Sequence, residues 1–397
     1  MNGGDKNRLA YFARTNFRDR IRPFGIKHAD RLSHIYAIGK TGTGKSTLLE
    51  TLIRQDIDRG EGVALVDPHG DVVERIAGSI PEHRTHDVIY FDVPGHTEYG
   101  YNPLKWVRPD KRPLAASGLL EVFHKMWGEK AWGQRMEHIL RNALLALLEI
   151  PGATLPDLLR LLRDDAYRTR IAGTISNAQV KGFWLYEYPK YSYRYRADAI
   201  APIQSKVGAF LADPTLYRIL TERGKTLQIR RIMDEGKILL VNLAKGKLGE
   251  DSSSLLGGLL VTTIGLAGFS RADLDEDKRR PFYVYIDEFQ TFTTLALANM
   301  LSELRKHGVG LVLAHQYLDQ LETDIRNAVI GNAGTLIVFR VGAKDAGFLA
   351  REFEPALERV DLITLPNYHI YVKLMVDGRP AAPFSAVTLT PSSGAHS

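Results

Sequence analysis

One glycine-rich stretch constrains the fold of this 397-residue chain more than any other feature. The apolar residues 35–38 lead into residues 39–46, which fit the pattern G-x-x-x-x-G-K-[ST], and an amphipathic helix is predicted to follow. Glycines in such a loop permit left-handed backbone and leave room for phosphate, so that successive N–H groups form an anion nest beside the positive end of the helix. The predicted phosphate-binding residues are Gly39, Lys40, Thr41, Gly42, Thr43, Gly44, Lys45, Ser46 and Thr47.

Two side chains of this loop have the chemistry to contact a nucleoside triphosphate. Lys45 would reach the β- and γ-phosphates, and the hydroxyl of Ser46 would ligate Mg²⁺. The alternative is an ordinary glycine-rich turn between a strand and a helix, which requires the motif and both flanking elements to coincide by chance. The sequence therefore predicts ATP and Mg²⁺ as cofactors.

Hydrolysis needs further residues, and two later apolar strands end in suitable side chains. Asp287 and Glu288 follow residues 282–286, and the carboxyl ends of parallel strands are where such sheets place their ligands. Asp287 suits a carboxylate linked to Mg²⁺, and Glu288 suits the base that polarises the attacking water. Gln316 follows the next strand and can hydrogen-bond both water and γ-phosphate. The alternatives are a solvated acidic loop and a capping amide.

An arginine that neutralises charge in the transition state is expected as well. Arg305 lies between the two strands just described, and Arg31 and Arg340 are rival candidates. One chain rarely brings such an arginine to its own phosphate, whereas a neighbour in a ring can. Each of the three could instead be a surface cation.

The net charge of +6 is unevenly distributed along the sequence. Residues 1–31 carry eight lysines and arginines against three aspartates, which predicts a basic N-terminal arm of charge +5 and favours a polyanionic partner, with nucleic acid first. A solvated flexible tail is the alternative. The chain has no cysteine, which excludes disulfides and thiolate chemistry. The longest apolar stretch, residues 255–269, is interrupted by glycines and is shorter than a membrane span, so a buried helix is expected.

The order of predicted elements divides the chain. Strands alternate with helices up to residue 103 and again from about residue 230, which indicates an α/β fold with a parallel sheet. Residues 104–229 show long helical patterns and predict an inserted all-α domain, and residues 391–397 predict a flexible tail. Within the insertion, residues 181–196 are rich in cations and aromatic rings, which either stack nucleic-acid bases, pack the helical domain or bind a protein partner.

With these residues in place, the chain resembles the FtsK/HerA superfamily of DNA-pumping ATPases, and within it the TraG/TraD-like coupling ATPases of conjugative type IV secretion. The resemblance extends from about residue 24 to about residue 389. It is carried by residues 38–49, 66–71, 91–92 with 101–104, 238–243, 285–289 and 305–308 leading to 315–316.

The resemblance implies a RecA-like P-loop NTPase core formed by residues 32–103 and 230–390, and a hexameric ring around DNA. It also implies an all-α domain that recognises a relaxase–DNA substrate. It assigns Asp287 to the Walker B position, Glu288 to catalysis, Gln316 to a sensor role and Arg305 to the arginine finger that acts on a neighbour. Asp67 matches an acidic residue at a strand end near the site.

The chain departs from this pattern because it shows none of the membrane helices of coupling proteins, and residues 1–31 are too few for the β-barrel of HerA proteins. A cytoplasmic variant of a mobile element is therefore expected, with no direct membrane span and recruited to the inner membrane through partners such as a relaxase or a secretion-channel protein. The expected function is a ring-forming, ATP-hydrolysing DNA translocase. The alternatives are an ATPase that drives transport of proteins or pilus subunits, a HerA-like DNA-processing or defence ATPase, and a nucleotide-gated adaptor.

Overall fold

The computed structural model describes residues 7–16, 21–105 and 107–391. The predicted tail lies outside these residues except for Pro391, as do parts of the predicted basic arm. The strands are β1 (Leu9–Thr15), β2 (Pro23–Lys27), β3 (Ile35–Ile38), β4 (Gly62–Asp67), β5 (Val88–Asp92), β6 (Ile238–Asn242), β7 (Phe282–Ile286), β8 (Val309–His315), β9 (Thr335–Val338), β10 (His369–Lys373), β11 (Met375–Val376), β12 (Arg379–Pro380) and β13 (Phe384–Thr388).

The helices alternate with the strands at both ends of the chain and follow one another in the middle. They are α1 (His28–Arg31), α2 (Lys45–Asp58), α3 (Asp71–Ala77), α4 (Arg112–Trp127), α5 (Gln134–Leu147), α6 (Leu155–Arg163), α7 (Asp165–Thr174), α8 (Ala178–Gly182), α9 (Tyr193–Ala212), α10 (Pro214–Thr221), α11 (Ile229–Glu235), α12 (Lys245–Leu248), α13 (Glu250–Ser270), α14 (Leu295–Leu304), α15 (Thr323–Asn332), α16 (Ala343–Phe353) and α17 (Arg359–Thr364).

The chain forms two compact units. The sheet unit comprises residues 1–92, 229–244 and 267–397, and the helical unit comprises residues 93–228 and 245–266. The helical unit thus includes a second segment that the sequence placed in the α/β core. The reason is packing: the hydroxyl of Tyr101 lies 2.7 Å from that of Thr263, and a Cβ on Gly118 would come within 2.7 Å of Thr262.

One mixed sheet organises the sheet unit. Its strand order is β2-β1-β13-β10-β9-β3-β8-β7-β4-β6-β5, and the seven strands from β9 to β5 are all parallel. Strands β3, β4, β6, β7, β8 and β9 are buried along their whole length, as apolar strands covered on both faces are. The expected α/β class with a mostly parallel core and an all-α insertion is confirmed. In this arrangement β3 lies between β8 and β9, and its carboxyl end faces the candidate site.

The prediction of a basic arm over residues 1–31 is wrong for the part that the structure describes. Strands β1 and β2 pair with each other, and β1 also pairs antiparallel with β13. Phe12 and Ala13 are buried while Tyr11 and Arg14 are exposed, and the pairing with β2 shifts register between Tyr11 and Ala13, so β1 is packed into the core around an irregularity of the strand. Arg14 is the one basic residue within β1, and a count of charges over residues 1–31 cannot show that its neighbours in the strand are buried.

The helical unit contains helices α4 to α10, α12 and most of α13, and its described residues include no strand beyond an isolated bridge between Gly100 and Thr226. Asp164 separates α6 from α7, because its carboxylate accepts a hydrogen bond from the N–H of Tyr167 at 2.8 Å and caps the start of α7. Helix α8 continues directly into a π-helical turn at Phe183–Glu187.

One helix among the described residues, Glu250–Asp273, is long and apolar enough to cross a membrane by length and composition. In the structure, 67% of its apolar window is buried within the protein, which is typical of a core helix.

Candidate active site at the carboxyl edge of the sheet

The phosphate-binding loop connects β3 to α2, as the motif requires. Gly42 and Gly44 have φ angles of 76° and 118°, which lie in the left-handed region that favours glycine. A Cβ on Gly44 would come within 2.9 Å of the Tyr368 ring, and one on Gly39 within 2.5 Å of the Phe339 Cβ. The loop is therefore shaped by its glycines and by two aromatic side chains from distant parts of the chain.

Lys45 lies inside this loop and is 6% exposed. Its Nζ donates hydrogen bonds to the carbonyl oxygens of Gly39 at 2.5 Å and Lys40 at 3.1 Å. Burial lowers the pKa of Lys45, and the carboxylates of Glu288 and Asp287 act in the opposite direction. The structure thus brings the predicted lysine and both predicted acids to one place.

Asp287 and Glu288 are buried immediately after β7, at 5% and 7% exposure. The N–H of Asp287 extends the sheet by donating to Val66 at 3.1 Å, and its carboxylate accepts from the N–H of Glu288 at 2.9 Å. Burial, together with the nearby charges of Asp67 and Glu288, raises the pKa of Asp287 to about 7. Three carboxylates near one another leave a surplus of negative charge that a cation would relieve.

Asp67 ends β4 and is completely buried. Its carboxylate accepts hydrogen bonds from three backbone N–H groups, those of His69 at 2.8 Å, Val72 at 2.9 Å and Val73 at 3.2 Å. Asp67 therefore holds the loop before α3 in place and acts on Asp287 through its charge.

Mg²⁺ fits these residues in the manner of a phosphate-bound ion. Among the residues that the structure describes, no group of three or more acidic or histidine side chains is arranged to hold a metal alone. Mg²⁺ commonly uses one or two protein oxygens together with substrate phosphates and water. The Ser46 hydroxyl at the start of α2 and the Asp287 carboxylate supply oxygen donors of this kind.

A chain of hydrogen bonds joins the loop to Glu288. The Thr41 hydroxyl donates to the Gln316 side-chain oxygen at 3.1 Å, and the Gln316 amide donates to Oε1 of Glu288. Gln290 donates to the other carboxylate oxygen at 2.7 Å. Glu288 itself has a φ of 46°, a left-handed conformation that costs a non-glycine residue about 1–3 kcal/mol and that clusters at functional sites. Sequence reasoning found Gln316 and Glu288 but not their link to Thr41.

A second hydrogen-bonded pair, Tyr36 with His315, was also missed by sequence reasoning. The Tyr36 hydroxyl lies 2.7 Å from Nδ1 of His315, and both residues are fully buried. Burial and the charge of Lys45 lower the pKa of His315 to about 3, so the ring is neutral at physiological pH. The sequence feature that could have indicated this pair is a histidine at the end of an otherwise apolar strand, next to Gln316.

The three candidate arginines occupy different environments. Arg31 is fully buried in an ion pair with Asp56. Arg340 donates to the Leu365 carbonyl at 3.1 Å and to the Asn367 side chain at 2.8 Å, so it holds a loop beside the site.

Arg305 is exposed and lies four residues before β8, at the amino edge of the sheet. It lines a cavity of about 950 Å³ at that edge. The seven residues of β8 span about 20 Å, so Arg305 is remote from the phosphate-binding loop of its own chain.

The fold corresponds to that of known proteins. A family model described as the type IV secretion-system coupling protein DNA-binding domain matches residues 23–355. A search of curated proteins found no match.

Among solved structures, the bacterial conjugative coupling protein TrwBdeltaN70 in its unbound form is 18% identical, with a TM-score of 0.65 over 93% of this chain and 87% of that one. Plasmid coupling protein TrwB in complex with the non-hydrolysable ATP analogue ADPNP is 19% identical, with a TM-score of 0.65 over 96% of this chain and 95% of that one. VirB4 of Thermoanaerobacter pseudethanolicus is 14% identical, with a TM-score of 0.63 over 96% of each chain. At these identities the likeness shows a shared P-loop NTPase fold.

Proposed function

Because the chain belongs to the family of type IV secretion-system coupling protein DNA-binding domains, we propose that it is a Mg²⁺-dependent ATPase that drives DNA through a ring of its own copies. The observation that carries the proposal is the connected path from Thr41 through Gln316 to Glu288, because it joins the phosphate-binding loop to a buried carboxylate. Solved structures of TrwB hold ADPNP, and ADP with Mg²⁺, which supports the same cofactors here.

ATP would bind with its β- and γ-phosphates against the N–H groups of the loop. Lys45 would exchange the carbonyls of Gly39 and Lys40 for phosphate oxygens, and its buried charge would then be compensated more fully. Mg²⁺, when bound to the Ser46 hydroxyl and near Asp287, would neutralise phosphate charge. It would also relieve the repulsion that raises the pKa of Asp287.

Glu288 is proposed to accept the proton of the attacking water. A carboxylate held by Gln316 and Gln290 is oriented before substrate arrives, and such positioning contributes to general-base catalysis. When the γ-phosphate leaves, Gln316 would lose its hydrogen bond to that phosphate. It would then return to the hydrogen bonds with Thr41 and Glu288 that the structure shows. In this proposal Gln316 reports hydrolysis to the rest of the sheet unit.

The ring is proposed because Arg305 cannot serve its own phosphate from the opposite edge of the sheet. Its exposure leaves it available to a neighbouring copy, where it would neutralise charge in the transition state. The family resemblance adds a hexamer, a relaxase or secretion-channel partner, and a cytoplasmic location at the inner membrane. The alternative from the sequence analysis, an ATPase that moves proteins or pilus subunits, shares this fold and is separated from the proposal by the experiment below.

Steady-state ATPase assays with single-stranded DNA, with duplex DNA and without DNA test the proposal, together with mass photometry in ATP. We expect DNA to stimulate turnover in a hexamer, and Glu288→Gln to lower kcat by about 10²–10⁴-fold with ATP binding retained. The matched control is Glu82→Gln, an exposed glutamate of the same unit, which should leave kcat unchanged. An ATPase rate that neither single-stranded nor duplex DNA stimulates, in an assembled ring, would refute the DNA translocase and favour the protein-transport alternative.

A further inference from the structure

Two tyrosines of the helical unit are more exposed than any other large apolar side chain that the structure describes. Tyr193 is 83% exposed and Tyr186 is 67% exposed, and only seven positions separate them. Leaving two aromatic rings in water forgoes the favourable free energy of burial. A function at this surface would explain their exposure.

The neighbouring rings show that packing accounts for only part of the aromatic segment. Trp184 and Tyr188 are buried, and they donate hydrogen bonds to the carbonyls of Asn142 at 3.2 Å and Leu162 at 3.1 Å. They form a cluster of rings that continues outward to Tyr191. The packing explanation considered for residues 181–196 therefore holds for the inner rings but leaves the two exposed tyrosines without a role.

The backbone that carries the exposed rings is helical, and at one of them it is unusual. Tyr186 belongs to the π-helical turn Phe183–Glu187, a rare conformation that is frequent at functional sites. Tyr193 begins the 20-residue helix α9, whose start is capped by Ser192 through a bond from the N–H of Tyr195 at 3.2 Å. Both rings thus stand on helical backbone, which limits the conformational entropy lost when a ligand stacks on them.

The segment 181–196 that carries these rings is basic, with four lysines and arginines against the one acidic residue Glu187. Lys190 and Arg194 are exposed on either side of Tyr193 along the chain, and the guanidinium of Arg135 stacks over the Tyr195 ring at 4.7 Å. The helical unit as a whole carries 22 lysines and arginines against 15 acidic residues, whereas the sheet unit carries 30 against 31. The positive charge of the protein therefore resides in the helical unit.

We propose that Tyr186, Tyr193, Lys190 and Arg194 form a stacking surface that binds single-stranded nucleic acid. Unpaired bases would stack on the two tyrosine rings while Lys190 and Arg194 contact the phosphates. The bases of a duplex are already stacked on one another and cannot stack on the tyrosines. Duplex DNA would therefore be bound only through the contacts of Lys190 and Arg194 with its phosphates. This inference rests on the proposed function, because it assumes that DNA is the substrate. It adds that the helical unit binds the single-stranded form of that DNA.

Fluorescence anisotropy with the full-length chain tests the proposal, using a labelled 20-nucleotide oligo(dT) and a duplex of the same length. Tyr193→Ala should weaken oligo(dT) binding about tenfold and leave duplex binding within twofold, and Tyr193→Trp should retain affinity. The matched control is Tyr217→Ala, a 49% exposed tyrosine on α10 of the same unit, which should bind like the wild type. Replacing Lys190 and Arg194 by glutamine should lower the salt dependence of binding.

Unchanged oligo(dT) affinity in Tyr193→Ala and in the Tyr186→Ala/Tyr193→Ala double variant would overturn the proposal, as would equal losses on oligo(dT) and duplex. Far-ultraviolet circular dichroism identifies a variant that fails to fold. If the alanine variants fail to fold, Tyr193→Trp decides the outcome, because loss of oligo(dT) affinity in a folded Tyr193→Trp variant would overturn the proposal. ATPase data separate this inference from the proposed function. Tyrosine-dependent oligo(dT) binding without DNA-stimulated turnover would refute the translocase alone, and DNA-stimulated turnover with unaltered binding in the alanine variants would refute the stacking surface alone.

Discussion

The buried ion pair of Arg31 offers a strong quantitative test, because sequence reasoning considered Arg31 as a catalytic arginine. Its guanidinium donates to the two Asp56 carboxylate oxygens at 2.5 and 2.7 Å and to the Tyr285 hydroxyl at 2.6 Å, with both charged side chains fully buried. Burial lowers the pKa of Arg31, but the charges of Asp56 and Tyr285 more than compensate, so the pKa is raised overall. This arginine is structural.

Arg31→Met preserves much of the volume and removes the charge. Asp56 is then left buried with the Tyr285 hydroxyl as its remaining partner within this network. Removing one partner of a buried pair costs about 3–5 kcal/mol, since the remaining charge is uncompensated. We expect the sheet unit to lose this amount of unfolding free energy. The triple variant Arg31→Met/Asp56→Leu/Tyr285→Phe should regain more than half, because no member of the network then remains unpaired.

Native-state hydrogen exchange of β3 and β7 measures the loss within the sheet unit. Tryptophan fluorescence provides an internal control, since all four tryptophans fall within residues 93–228 and report on the helical unit. A loss below about 1 kcal/mol in β3 and β7 would contradict the buried-charge argument. A hundredfold fall in kcat with unchanged exchange would show instead that Arg31 acts on phosphate.

Two further predictions concern the site itself. Gly39→Ala places a Cβ 2.5 Å from the Phe339 Cβ, and the resulting shift of the loop should weaken binding of a non-hydrolysable ATP analogue at least tenfold by calorimetry. Gly342→Ala is its control because the nearest atom lies at 3.9 Å, and equal affinities in the two variants would refute the clash. Gln316→Ala should lower kcat about a hundredfold and leave affinity for the analogue within twofold, because Gln316 holds Glu288 and not the loop backbone. A normal kcat in this variant would remove Gln316 from the catalytic path.

Much of the parallel core was predictable because its signals are local. Strands β4, β6 and β7 are continuous apolar runs with polar residues at their ends, and that pattern identifies both a buried strand and the edge where ligands bind. Strands β1 and β2 were missed because they carry charged residues at positions that are not buried, and because β13, with which β1 pairs, is more than 350 positions away. A count of charges predicts a basic arm for these residues, whereas the backbone hydrogen bonds of β1 with β2 and β13 show that they belong to the sheet.

The nucleotide-binding loop was determined by the sequence itself, because its glycines, Lys45 and Ser46 are contiguous and their geometry follows from local backbone preferences. Tertiary structure decided what surrounds the loop. Thr41 and Gln316 are 275 positions apart and meet only because β3 and β8 are neighbours. The same long-range packing buried Arg31 and left Arg305 exposed, since the environment of a charged side chain depends on which distant groups the fold brings to it.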